Sequence, residues 1–380
     1  MYKVTERQVG IAMFITILSL KLIIYPALVA RFAQNDSYLS VILSFIIDFI
    51  FVILTISIIK KNKHKNLKEI LDEGLGKILS KICLFFLMVY FLCKSVFAVK
   101  ECHDFFFVLL YDDLDWLYFF IPILALAWFV LRKVIKAFSR TIEICWIVIL
   151  FGLITAVFMS LDMVSIDNLL PVLENGLTPI LDATLRTNFC FGDYFILLLF
   201  AGKINFEGKS ANKIYGYVGL AYLIVIAFHI IFMGVFGSSS VIQSLAVSDV
   251  SLQSQVPLTN GRLEWLNIMI WTVTLILQFL LVMLCSKLCF EYLIPIKKEN
   301  LSIAIIEVLV ILGAYVFYFS FAKAIRIILN PYFYYTSLVI QVVIPLVIWL
   351  ASIRINKNKD GGQGKIKEGC YGKTFKSPTQ

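Results

Sequence analysis

Polar side chains set inside long apolar runs are the residues of this chain best placed to do chemistry. Lys21 stands in Leu18-Ser19-Leu20-Lys21, shortly before Tyr25-Pro26. A lysine at mid-bilayer costs about 2.5–3.5 kcal/mol on insertion scales, so it faces a cavity or a partner, or snorkels from a tilted helix. The small polar Ser19 and the downstream Pro26 predict local unwinding. A second cluster is Thr187-Asn188-Phe189-Cys190-Phe191-Gly192-Asp193. It predicts a broken helix in which Gly192 opens the backbone and Asp193 caps a new half-helix. Bared amides at a half-helix N-terminus attract a carboxylate, and bared carbonyls attract a cation or an ammonium. The chemistry so defined is the binding of a small charged ligand, with the Lys21 ammonium expected to stand in for a bound metal cation.

Other polar positions flank these two. Cys93, Phe97 and Glu101 recur at i, i+4 and i+8 and so share one helix face, while Lys100 and Asp104 are spaced to pair. Residues 100–104 also fit a solvated helix end. His103 reads as interfacial and His229 as a hydrogen-bonded core histidine. Arg140 and Glu143 read as a gating or structural pair, with each other or with a neighbouring helix. Trp271, Thr274 and Gln278 make a polar stripe; Thr274 is the member expected at a cavity. Cys285 and Cys289 sit one helical turn apart without a further ligand, so no metal site is expected, and the eight cysteines read as buried reduced thiols. Glu73-Gly74-Leu75-Gly76-Lys77 lacks the spacing of a phosphate loop. No catalytic triad, dinucleotide fingerprint or zinc motif stands out, so neither enzyme activity nor a cofactor is expected.

The elements that must hold these residues are membrane helices. The chain has 380 residues, 60% hydrophobic and 16% charged, where soluble domains carry roughly 25% charge. Runs of about 20 apolar residues are needed to cross a bilayer. Candidate spans are 9–32, 38–60, 78–110, 117–133, 141–160, 181–200, 212–236, 265–293, 301–320 and 332–353. The first is too long for a secretory signal core and reads as a membrane helix. Spans one and six hold matching positions if the chain is two five-helix halves, and matching interrupted helices point to a central substrate site.

Loop charge sets the expected orientation. The loops on the side of the termini, with the tail, hold 25 of the 34 basic residues. The opposite loops hold Arg31, Arg262, Lys323 and Arg326, with Asp112, Asp113, Asp115, Asp162, Asp167 and Glu174. Both termini are therefore expected in the cytoplasm. A charge of +9 laid out this way reflects membrane orientation rather than nucleic-acid binding. Residues 1–354 read as one transmembrane transporter-like domain and 355–380 as a disordered basic tail.

Several segments resemble the spore germinant-receptor B-subunit family (GerAB-like), a branch of the amino-acid/polyamine/organocation transporter superfamily. Val4-Thr5-Glu6-Arg7-Gln8 is similar to its opening Ile-Ser-x-x-Gln. Tyr25-Pro26-Ala27-Leu28-Val29-Ala30, with Gln34-Asn35-Asp36-Ser37-Tyr38-Leu39-Ser40, resembles its Leu-Pro…Ala-x-x-Ala-Gly-x-Asp-x-Trp-Leu-Ser. Arg140-Thr141-Ile142-Glu143 resembles Arg-x-x-Glu, and Asn168-Leu169-Leu170-Pro171-Val172-Leu173-Glu174-Asn175-Gly176 resembles Asn-Leu-x-Pro-x-x-x-x-Gly. Asn188-Phe189-Cys190-Phe191-Gly192-Asp193 falls where the family has Phe-Pro-Phe-Gly-Glu. Arg262-Leu263-Glu264 and Trp271 lie near its Glu-Arg…Trp region, with the order of Glu and Arg changed. The likeness covers roughly residues 4–354. Cys190 and Asp193 depart from the family's Pro and Glu, and Ser19 and Lys21 stand where many relatives have small residues.

The resemblance implies an all-α membrane protein of about ten spans with a leucine-transporter-like 5+5 inverted repeat and broken helices 1 and 6. It implies the ligand-sensing subunit of a complex in dormant spores, in the spore inner membrane or a cell membrane. Such a complex detects a nutrient such as an amino acid, with an A-type and a lipoprotein C-type subunit as partners. The alternative is a proton- or cation-coupled amino-acid permease. The ligand is expected between spans one, three, six and eight, against Ser19, Lys21, Cys93, Phe97, Asn188, Phe189, Gly192, Asp193 and Thr274. Pro26, Glu101, Arg140 and Glu143 are the gating or structural residues.

Overall fold

The computed structural model describes residues 4–63, 65–109, 116–132, 135–204, 211–253, 264–296, 298–318 and 326–371. Asp112, Asp113, Asp115, Arg262, Lys323 and residues 372–380 of the sequence expectations lie outside them. The described residues are almost wholly helical. Among the described residues, seven stretches are long and apolar enough to cross a membrane: Tyr25–Lys61, Lys77–Phe107, Phe138–Thr155, Ala211–Val241, Ile268–Leu293, Glu299–Val316 and Pro331–Ile355. Tyr118–Leu131 and Asn188–Leu199 are shorter apolar helices. With the helix over Glu6–Ile23, each of the ten expected spans contains one of these helices, as far as the described residues reach.

The first span is split. Helix α1 (Glu6–Ile23) starts on a capping box in which the Thr5 hydroxyl accepts from the Gln8 amide and the Gln8 side chain accepts from the Thr5 amide. It ends at Ile24, and α2 (Tyr25–Ala33) follows with Pro26 in its first turn, where a missing N–H costs nothing. The expected unwinding around Ser19 is therefore corrected. Ser19 lies inside a continuous helix, and the interruption comes at Ile24, where Pro26 can supply no donor to the preceding turn.

Helices α3 (Ser37–Lys61), α4 (Leu67–Leu75), α5 (Lys77–Leu109), α6 (Trp116–Leu131) and α7 (Ile135–Ser160) complete the first half. The second half opens with α8 (Leu177–Arg186) and α9 (Tyr194–Leu199), the two pieces of span six, with a short 3-10 turn at Asn188–Cys190 between them. Then follow α10 (Ala211–Phe236), α11 (Ala246–Gln253), α12 (Glu264–Leu293), α13 (Glu299–Tyr318) and α14 (Pro331–Tyr371). The chain stays helical beyond residue 354, to Tyr371, where an irregular tail was expected.

Packing places α1 at the centre: every residue from Gln8 to Ile23 is buried. It lies mainly against α10, with α12 and α7 beside it, and α5 packs along α12. At one end of the bundle Val4 bridges to Ile204, and α4 lies across α14. A Cβ on Gly74 of α4 would sit 2.5 Å from the Ala351 Cβ and 2.7 Å from its Cα, whereas one on Gly216 of α10 would meet nothing within 4 Å.

Gly74→Ala should therefore lower the thermal midpoint of the purified protein, by an overpacking cost of about 1–3 kcal/mol. Gly216→Ala should be neutral or raise it, since alanine is the better helix former. Equal midpoints for the two variants would show that α4 is not seated on α14.

Candidate functional site

The break in span six organises the middle of the protein. Phe191 is extended, Gly192 has φ +83°, and α9 starts at Tyr194. That positive φ suits glycine, and a Cβ there would run into the Tyr90 hydroxyl. Unwinding frees the Phe191 carbonyl and the Gly192 amide, which other helices then satisfy. The Phe191 carbonyl accepts from the Tyr90 hydroxyl at 2.6 Å and the Lys94 ammonium at 2.6 Å, both on α5. Gln341 of α14 adds a longer contact from Nε2 at 3.4 Å. The Gly192 amide donates to Asp48 Oδ1 of α3 at 3.0 Å, and Tyr222 of α10 donates to Oδ2 of the same carboxylate.

Asp193 joins two lysines. Its Oδ1 accepts from Lys94 at 2.9 Å, and its Oδ2 pairs with Lys21 of α1. Lys21 is fully buried and lies over the Phe191 ring at 4.8 Å; Asp193 and Asp48 are each 2% exposed. Two lysines and two aspartates thus share a buried patch, and opposite charges at these separations offset the cost of taking each from water. The Lys21 expectation stands changed: its ammonium is held by a side chain, Asp193, and it shares that carboxylate with Lys94.

The remaining expected residues divide into two groups. Ser19 donates to the Gln278 side chain, tying α1 to α12. Phe97 meets Phe189 edge-on with centroids 5.9 Å apart, and Phe189 also meets Phe333. Asn188 donates to the Leu185 and Tyr334 carbonyls and so fixes the turn. Cys93 is a half-buried free thiol beside Lys94 on α5. Thr274 does not join the network by its hydroxyl, which donates to the Ile270 carbonyl of its own helix at 2.9 Å.

Of the gating residues, Glu143 binds Gln8 at 3.0 Å and Arg7 at 3.6 Å on α1, the second of the two expected pairings, with a neighbouring helix, while Arg140 is exposed. Glu101 lies buried beside the Ile24 amide at the break of span one, and neither of its oxygens makes a well-formed hydrogen bond among the described residues. Lys100 and Asp104 pair as expected, and the His229 ring meets Ser37 at 2.9 Å. Between spans one, three, six and eight, where the ligand is expected, the Ser19–Gln278 and Phe97–Phe189 contacts join facing helices. A cavity of about 230 Å³ lies between α3, α8 and α14, lined by Ile47, Asp48, Leu181, Asn188, Phe191 and Gln341 among others.

Asp48, Tyr90, Lys94, Gln341 and Tyr222 belong to this network but are not among the site residues expected from the sequence. Asp48 carried a usable signal: it is the sole charged residue from Ser37 to Ile59.

Two helices interrupted at mid-span, facing a polar centre, define a transporter-type membrane protein. Solved structures share the fold. The nucleobase-cation-symport-1 family transporter Mhp1, in a closed conformation with bromovinylhydantoin bound, aligns with a TM-score of 0.61 at 15% identity, over 87% of this chain and 75% of its own. A mutant of the Eremococcus coleocola manganese transporter aligns with a TM-score of 0.59 at 11% identity, over 98% of this chain and 88% of its own. The architecture is the leucine-transporter-like fold.

Within that class the chain belongs to the spore germination protein family, which it matches over residues 3–322. It is similar to spore germination protein YndE of Bacillus subtilis (strain 168), 24% identical over 320 residues, covering 82% of this chain and 86% of the relative. Spore germination protein KB of the same organism is 25% identical over 267 residues, covering 67% of this chain and 66% of its own.

The charge cluster yields a specific expectation. Asp193→Asn leaves two buried ammonium groups without their shared carboxylate and should cost about 3–5 kcal/mol, seen as a large drop in thermal midpoint or in folded yield. Adding Lys21→Met should restore part of the loss, with a coupling of about 0.5–3 kcal/mol. Strictly additive costs would mean that the two side chains do not interact.

Proposed function

We propose that this chain is the nutrient-sensing membrane subunit of a spore germinant receptor, and that its ligand is a small amino acid. The observation that carries this reading is the interrupted sixth span of a spore germination protein, held at its centre by paired charges rather than by apolar packing. The nutrient lodges among α1, α5, the α8–α9 break and α12, with its side chain against Phe97 and Phe189. Its carboxylate does not meet the Gly192 amide as the sequence suggested, because Asp48 already holds that N–H. It faces Lys21 and Lys94 instead, the two ammonium groups bonded to Asp193.

Binding favours the conformation in which the Ser19–Gln278 and Phe97–Phe189 contacts open, and the difference in affinity between the two states is the signal. The chain works by binding rather than by catalysis, sits with both termini in the cytoplasm, and assembles in the spore inner membrane with A-type and C-type subunits. The transporter fold of its structural neighbours supports one other reading, a coupled amino-acid permease.

Spores carrying or lacking this chain, tested on a panel of single amino acids, should differ in their response to at least one. Phe97→Ala should raise the concentration needed for half-maximal germination by about tenfold or more, the loss of roughly 1.4 kcal/mol of contact. No difference between the spore strains on any nutrient removes the sensing role. Accumulation of a labelled amino acid against its gradient in proteoliposomes would favour the permease.

A further inference from the structure

In broken-helix membrane proteins the unwound carbonyls and nearby carboxylates are where a coupling cation is held. Here the corresponding oxygens are the Phe191 carbonyl, the Asp193 carboxylate and the Tyr90 hydroxyl, all buried. Oxygen donors of this kind suit a hard cation. The carbonyl and the carboxylate converge on the Lys94 ammonium, at 2.6 Å and 2.9 Å, while the Tyr90 hydroxyl donates to the same carbonyl and its ring centre lies 5.3 Å from that ammonium. We infer that Lys94 is a tethered ammonium occupying the cation position at the break of span six, so that the protein binds no alkali-metal cation there.

Charge balance and connectivity support the assignment. Lys21 and Lys94 match Asp48 and Asp193 in number, so a further cation at the same oxygens would leave the buried cluster with a net positive charge. Lys21 lies on the other oxygen of Asp193 and over the Phe191 ring, and among the described residues its ammonium does not bond the Phe191 carbonyl. Lys94 therefore differs from Lys21 in bridging backbone and carboxylate together. A metal ion joins helices only while bound, whereas a side chain on α5 joins them permanently. This assignment concerns the same centre as the sensing role but uses no property of the nutrient.

The test is the thermal unfolding of the full chain in lipid nanodiscs, in sodium, potassium or lithium chloride against N-methylglucamine chloride at equal ionic strength. The unsubstituted protein should unfold at the same midpoint in all four salts. Lys94→Met should unfold earlier in N-methylglucamine and recover with sodium or potassium, by about 2 °C for each tenfold rise in salt once the site begins to fill. Lys94→Gln, which keeps a donor for the Phe191 carbonyl, carries the same expectation if the methionine variant gives no folded protein. Lys21→Met, which retains Lys94, should show no cation response. A saturable cation effect on the unsubstituted protein overturns the assignment. So does a salt-indifferent Lys94 variant, or a cation response that follows Lys21 instead. Because no nutrient enters the measurement, a negative result here leaves the sensing reading standing, and failed germination tests leave this assignment standing.

Discussion

In hydrocarbon an unpaired backbone group costs several kcal/mol, since no water is present to take the place of a lost partner. The opening of span six at Phe191 and Gly192 creates such groups, and the rest of the bundle is arranged around supplying their partners. Tyr90 and Lys94 come from α5, Gln341 from α14 and Asp48 from α3. Tyr222 of α10 then steadies Asp48, and Lys21 of α1 holds the second oxygen of Asp193. One local irregularity therefore accounts for polar residues on five other helices, each placed where an apolar side chain would otherwise serve.

The same centre ties together elements that a moving protein must keep in register. Span one meets α12 through Ser19 and Gln278, and span six meets α5 through Asp193 and Lys94. Near the start of the chain, the Gln8 side chain both closes the cap of α1 and donates to Glu143 of α7. That residue explains why a polar pattern such as Thr5-Glu6-Arg7-Gln8 precedes an apolar span: the cap and the link use one side chain.

Much of this arrangement can be read from residue order, and the part that cannot has a physical cause. Asn188, Gly192 and Asp193 announce the break because asparagine, glycine and a buried acid are each costly in a membrane helix unless the backbone opens. Lys21 stands out for the same reason. The break in span one was misplaced toward Ser19 because a lone serine is a weak signal: its hydroxyl is satisfied across the interface by Gln278 without disturbing its helix. Pro26 was the better guide, since it removes a donor outright. The partners of the break were less legible. Asp48, Tyr90 and Gln341 lie about 100 to 150 positions from Gly192, and no local periodicity reports which helix faces which.

The strengths of these ties limit how a ligand can move the protein. Four polar contacts of this centre join spans one and six to α5 and α12: Ser19–Gln278, Tyr90–Phe191, Lys94–Phe191 and Lys94–Asp193. A neutral hydrogen bond contributes about 0.5–1.5 kcal/mol and one to a charged group about 1.5–3 kcal/mol. Stripping one partner from a buried ion pair costs about 3–5 kcal/mol. A ligand bound with a Kd of about 1 mM gains only about 4 kcal/mol, and one at about 1 μM about 8 kcal/mol. A nutrient bound near 1 mM can thus offset the loss of the neutral contacts at Ser19 and Tyr90, roughly 1–3 kcal/mol together, but falls short of most of the roughly 4–8 kcal/mol that those losses and rupture of the lysine–aspartate pair would cost. On the sensing reading, the motion is then a rotation that opens the Ser19 side while the Lys94–Asp193 pair stays made and serves as the pivot.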